Sequence, residues 1–229
     1  MKEKLSLETI KCTGELDNLR CQLKRHYQAL NKIETGKSPF GRFIFKGDLN
    51  NKYYMDAKKY PKIGVNFIDV NEPNYELFSK MSAEEILSYA KTPLECLAIA
   101  ALWKNGDLDK IKHIAAGIAG INKTNNVAPV FKQFGNHLSK PSCEPIADQH
   151  TLRAYRYLKE EDLKDPQHRQ NVKAQEVMKY VTWVQNIIKH PTNGSFNSDQ
   201  QQENLYNFDQ SMFTLGKATK EFITLGLSM

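Results

Sequence analysis

Downstream of Pro73 the sequence carries one helix start or stop signal after another, and this punctuation restricts the fold more than any other feature. The stretch "SAEE" at 82 to 85 has the form of a capping box, with Ser82 as the cap and Glu85 reaching back. "TPLE" at 92 to 95 repeats the signal and adds Pro93 at the first helical position. This second start opens "PLECLAIAALW", apolar nearly all round, which predicts a buried central helix ending near Asn105-Gly106. Further helices are expected from Leu108 to Ala116 and over 127–138, 149–160, 170–189 and 203–224, with "KEEDLKDPQ" and "HPTNGSFNSDQQQ" as polar connections. The expected fold class is mainly α.

The N-terminal third reads differently. Leu16, Leu19, Leu23, Tyr27, Leu30 and Ile33 recur at spacings of three and four, the stripe of an amphipathic helix that packs on a core or, alternatively, on a partner. From Gly36 to Asn74, glycines and prolines interrupt any helical period. "RFIFK" at 42 to 46 and "KIGVNFIDV" at 62 to 70 are rich in aromatic and β-branched residues and are expected to form a small β element. Seven lysines and arginines in this region interleave with Phe43, Phe45, Tyr53, Tyr54 and Tyr60, a mixture that suits phosphates and bases and equally suits a solvated loop with its aromatic residues turned inward. The whole is expected to be one compact domain over 1–229, with 1–75 as helix plus irregular or β structure and 76–229 helical.

With 40% hydrophobic residues, 229 positions suffice for a core. The longest apolar run, Leu97 to Trp103, is too short to cross a bilayer, and the charged opening MKEKLSLETIKC lacks a secretory signal. Cys12, Cys21, Cys96 and Cys143 are scattered without a CxxC pair, so neither disulfides nor a structural zinc is expected. These features predict a cytoplasmic protein. The net charge of +6 favours a polyanionic partner.

Within the helical part, "EPIADQHTLRAYRYL" at 144 to 158 places Asp148 where a helix starting at Gln149 takes its cap. The run also sets Asp148, His150 and Arg153 in the order D-x-H-x-x-R, downstream of "GIAGINKTNNV", a glycine-containing turn between two helices. Together these segments resemble the helix-hairpin-helix DNA glycosylases, whose hairpin and aspartate segment follow in the same order. The likeness covers about forty residues, 117 to 156, and more loosely the helical remainder. It departs from the family pattern at Ala119, where the hairpin has proline, and at Asn122, where it has a second glycine. Lys123 falls one place before the family lysine, and the 25 positions from Lys123 to Asp148 imply an insertion at "FGNHLSKPSCEP".

The resemblance implies a two-lobed helical fold with a DNA cleft, binding of double-stranded DNA as a monomer, and excision of a modified base without a metal or other cofactor. An oxidised purine such as 8-oxoguanine is the first expectation, and a hypermodified base the next. Asp148 would be the catalytic carboxylate that stabilises the positive charge developing on the sugar. Lys123 would be a second catalytic group, attacking the sugar if the enzyme also nicks the strand. Gly117, Gly120, Asn122, Thr124 and Arg153 would bind DNA, the hairpin by bringing backbone amides to a phosphate. His150 would support Asp148. A flipped base needs an aromatic or apolar pocket, for which Phe131, Phe134, Tyr155 and Trp183 are available. The absence of cysteine beyond Asp148 excludes the four-cysteine iron–sulfur cluster of some family members. The alternative is a non-catalytic helical DNA-binding or adaptor protein.

Overall fold

The computed structural model describes residues 28, 31–37, 74–121, 127–159, 172–191 and 196–224. The expected β element at 42–46 and 62–70, and most of the 16–33 stripe, lie outside these residues. Of the described residues 71% are α-helical and none is in a strand, so the fold is mainly α.

In chain order the helices are α1 (Asn74–Phe78), α2 (Ala83–Leu87), α3 (Pro93–Lys104), a 3₁₀ turn (Leu108–Lys110), α4 (Ile111–Ile118), α5 (Pro129–Ser139), α6 (Gln149–Leu158), α7 (Ala174–Ile188) and α8 (Ser198–Thr224). Their ends follow the local signals. Ser82 Oγ accepts from the Glu85 amide at 3.2 Å while the Glu85 carboxylate accepts from the Ser82 amide at 2.7 Å. Thr92 and Glu95 repeat the exchange at the start of α3. Helix α3 stops at Gly106, whose φ of +70° suits glycine, and the Asp107 amide turns back to the Leu102 carbonyl at 2.8 Å. Helix α4 stops in the same way at Gly120, φ +66°, with Ile121 N–H donating to Ala116 O at 2.9 Å.

Helix α3 departs from expectation. It is not a buried central helix: Leu94 is 76% and Leu97 68% exposed. An apolar circumference designates no single face, and among the described residues α3 packs mainly on the 3₁₀ turn. The core lies instead among α6, α7 and α8, where Leu152, Tyr180, Val184, Leu205, Phe208 and Met212 are wholly buried together with Ile33 from the N-terminal part. Arg156 of α6 joins Glu176 of α7 across this core, its Nη2 lying 2.5 Å from Oε1 and 2.6 Å from Oε2.

Two backbone-to-backbone approaches set the helix geometry. Gly117 of α4 and Gly135 of α5 face each other so closely that a Cβ at Gly117 would stand 2.9 Å from the Gly135 Cα, and one at Gly135 equally close to the Gly117 Cα. Gly216 of α8 meets the N-terminal turn of α6, where a Cβ would overlap the His150 carbonyl. Ile146 pairs with Asp209 and Arg153 with Gly216, in both cases 63 residues apart, so the chain from 146 through α6 runs alongside α8 in the same direction. Among the described residues no helix is long and apolar enough to cross a membrane.

Candidate functional site

The segment from Glu144 to Asp148 is irregular, yet three helices hold it, α5 and α8 at its backbone and α7 at the Glu144 side chain. His137 of α5, buried, has its Nδ1 at 2.7 Å from the Glu144 carbonyl, which requires that nitrogen to carry the proton and donate. Gln133, also buried, donates to the Glu144 carboxylate at 3.1 Å and to the Pro145 carbonyl at 2.9 Å. Gln185 of α7 donates to the other Glu144 oxygen at 3.1 Å. From α8 the Asp209 carboxyl accepts the Ile146 amide at 3.1 Å. Ala147 is 1% exposed, so the chain enters α6 with its last apolar residue in the core.

Asp148 caps α6 as the sequence predicts. Its Oδ1 accepts from both His150 N and Thr151 N at 2.7 Å, and its own amide donates to Thr151 Oγ1 at 2.8 Å, completing a capping box. Among the described residues no donor reaches Oδ2. The carboxylate is half-buried, its backbone pinned by the clamp before it and the helix after it. One oxygen is thus committed to structure, and the other is available for chemistry.

Cationic groups surround this oxygen's neighbour, His150. Arg153 Nη1 donates to His150 Nδ1 and to the Gly216 carbonyl, both at 3.1 Å. An imidazole that accepts at Nδ1 holds its proton on Nε2 and is neutral. Its pKa is lowered, first by burial, then by the charges of Arg153, Lys217 and Lys220, against the opposing pull of Asp148. The ring lies edge-on to Phe213 at 4.9 Å between centroids, and Lys217 stands over the same Phe213 at 5.5 Å. His150 is therefore a neutral acceptor that holds Arg153 in place. Lys217 and Lys220 went unnoticed in the sequence because only the packing of α8 on α6 brings their charges to bear on His150.

The other expected site residues separate. Gly120 is exposed, with nothing within 4 Å of a Cβ built on it, so its backbone is open to a ligand. Asn122, Lys123 and Thr124 lie outside the described residues. Gly117 is buried against Lys132, Gly135 and Asn136 of α5, and its missing side chain serves that crossing. A polar cavity of about 380 Å³ opens beside Gly120, lined by Ala119, Asn136, Ser139, Lys140 and Glu144 among others.

The expected base pocket is corrected in part. Tyr155 and Trp183 are core residues, 9% and 8% exposed, with ring centroids 5.1 Å apart and further contacts to Tyr180 and Phe208. Aromatic side chains so packed form a wall, not an opening. Phe131 and Phe134 are half-buried on α5, and the Lys110 ammonium stands 4.8 Å from the centre of the Phe131 ring.

Asp209 was missed entirely. It is wholly buried on α8, and its pKa is raised well above the ordinary carboxylate value, first by burial and further by the negative charge of Asp148, while the Ile146 amide and the Tyr180 hydroxyl pull the other way. The available signal was an acid lying between Leu205 and Met212 on the apolar stripe of the last helix.

No family model matches the chain, and no curated protein or solved structure is significantly similar to it.

Proposed function

We propose that this chain is a DNA glycosylase that releases a damaged or otherwise modified base, with Asp148 as the catalytic carboxylate. The observation that carries this reading is the division of labour at Asp148: Oδ1 is spent on two helix amides, while Oδ2 meets no donor among the described residues, and His150 in the next turn stands among the charges of Arg153, Lys217 and Lys220. Breaking an N-glycosidic bond builds positive charge on the deoxyribose, and a carboxylate oxygen held in place before the reaction stabilises that charge without reorganising. The cations around His150 offset the repulsion between Asp148 and the DNA phosphates and contribute to binding whatever the sequence.

In this reading α4 and α5 belong to one lobe and α6 to α8 to the other, with the DNA between them. The substrate class is an oxidised purine of the 8-oxoguanine type or a bulkier hypermodified base. Lys123 acts as nucleophile if the enzyme also cleaves the strand; otherwise water attacks. A panel of duplexes with different modified bases, incubated with the protein and then treated with alkali, tests the assignment. Alkali-dependent cleavage at one modified base is expected, and intact duplexes across the panel overturn it.

One observation favours a second reading, a helical DNA-binding protein without catalysis. Tyr155 and Trp183, which a base pocket would use, are committed to the core. Tight duplex binding with no base release from any substrate would establish that reading.

A further inference from the structure

Helix α8 buries a continuous face made of Leu205, Phe208, Asp209, Met212, Leu215 and Gly216, with each of the first five no more than 1% exposed. Five of these positions pack as the period of the helix requires, and Asp209 alone brings an ionisable group into an apolar stripe. Burying a carboxyl is unfavourable unless it is neutral or well paired, and a hydrophobic residue of similar size would fill the same space. Packing therefore does not explain an acid at this position. Its hydrogen bond to the approach segment does: Oδ2 accepts the Ile146 amide at 3.1 Å, two residues before Asp148.

Seven residues further along the same face, Gly216 seats against the His150 backbone and accepts Arg153 through its carbonyl at 3.1 Å. The two contacts bracket Asp148, one on the chain entering it and one on the helix leaving it. The glycine contact sets where α6 lies, and the Asp209 contact sets where the approaching backbone lies. We propose that Asp209 is the positioning residue of the site, tying the approach segment to α8 so that Asp148 holds its free oxygen in one place. Its consequence for base release rests on the glycosylase reading; the anchoring itself does not.

The groups facing the Asp209 carboxyl are the Ile146 amide, the Tyr180 hydroxyl of α7 and the Asp148 carboxylate at the head of α6. An asparagine at this position keeps an oxygen for the Ile146 amide, whereas leucine keeps the volume and loses the acceptor. Asp209→Asn and Asp209→Leu are therefore compared with the parent in three measurements: hydrogen exchange at the Ile146 amide, duplex affinity, and single-turnover base release. In Asp209→Leu the exchange is expected to quicken about tenfold, as for the loss of one hydrogen bond. Base release should fall about tenfold or more while duplex affinity stays within about twofold, because displacement of a catalytic group costs rate and not binding. Asp209→Asn should restore both exchange and release.

Release at the parent rate in Asp209→Leu, or release in Asp209→Asn as slow as in Asp209→Leu, overturns the proposal. If the parent itself releases no base from any duplex, the glycosylase reading alone fails and exchange decides: a faster Ile146 amide in leucine than in asparagine supports the anchor, and equal rates refute it. Should the leucine variant not fold, Asp209→Ala takes its place, with the same outcomes.

Discussion

Replacing Asp148 by asparagine separates its two roles. The capping role needs an oxygen acceptor, and both bonds that the cap makes, from His150 N and Thr151 N at 2.7 Å, end on the single atom Oδ1. An asparagine oxygen accepts both. What is lost is the full charge at the N-terminus of α6, worth about 0.3–1 kcal/mol. Part of this is returned, because the same charge opposes ionisation of the buried Asp209. The net change is expected to stay within about 1 kcal/mol, a melting shift of no more than about 2–4 °C for a chain of this size. Asp148→Ala, which removes the acceptor as well, should cost about 1–2 kcal/mol. Catalysis follows a different order. Asparagine puts no charge opposite the sugar cation, so single-turnover base release should fall by about 10²–10³, the loss expected for one strong electrostatic stabiliser. Duplex affinity should hold or rise, since one negative group near phosphate has gone. Melting, affinity and base release on the same preparation check the three parts. A stable Asp148→Asn protein with full activity would refute the reasoning and reduce Asp148 to a cap.

Gly216→Ala should destabilise the protein by about 2 kcal/mol, from an overpacking cost near 3 kcal/mol against His150 backbone less about 1 kcal/mol of helix propensity, as read from urea unfolding; an unchanged midpoint would mean that α6 and α8 do not meet there. The folded pKa of His137 is lowered by burial below its unfolded value near 6.5, so its contribution to stability is present above that pH and is lost as pH falls through the folded value. The unfolding free energy of the parent should accordingly decline as pH falls below about 6.5, and less steeply in His137→Gln. Asp209 has the opposite sign: with its pKa raised, its contribution is full below the unfolded value near 3.9 and is lost as pH rises, so the stability of Asp209→Asn relative to the parent should grow with pH. Borohydride should trap a covalent complex with DNA that Lys123→Ala cannot form if Lys123 is the nucleophile; base release without a trapped complex assigns the attack to water.

The parts legible in the sequence are those whose causes lie within one helical turn. Ser82 and Glu85, Thr92 and Glu95, and Asp148 and Thr151 meet their partners three residues away, through side chains long enough to reach and no further. Glycines at 106 and 120 end helices because a positive φ is a property of the single residue. The apolar period then gives the helices themselves and, with them, a mainly α fold. None of these signals says which faces meet. Helix α3 was expected to be central because it is apolar all round, yet an all-round apolar surface specifies no neighbour, and Leu94 and Leu97 are exposed. Gly117 looked like part of a hairpin, but a glycine in sequence does not reveal whether its missing side chain serves a turn, a ligand or a helix crossing; only the position of Gly135 decided. Asp209 reads as one more polar residue on a long helix until Ile146, 63 positions earlier, lies beside it. The sequence by itself determined the cap at Asp148, because a cap is a local hydrogen-bonding pattern. Only the tertiary structure decided what surrounds that cap, because burial, the neutral state of His150 and the gathering of Arg153, Lys217 and Lys220 arise from α8 packing against α6, at distances along the chain that no local rule spans.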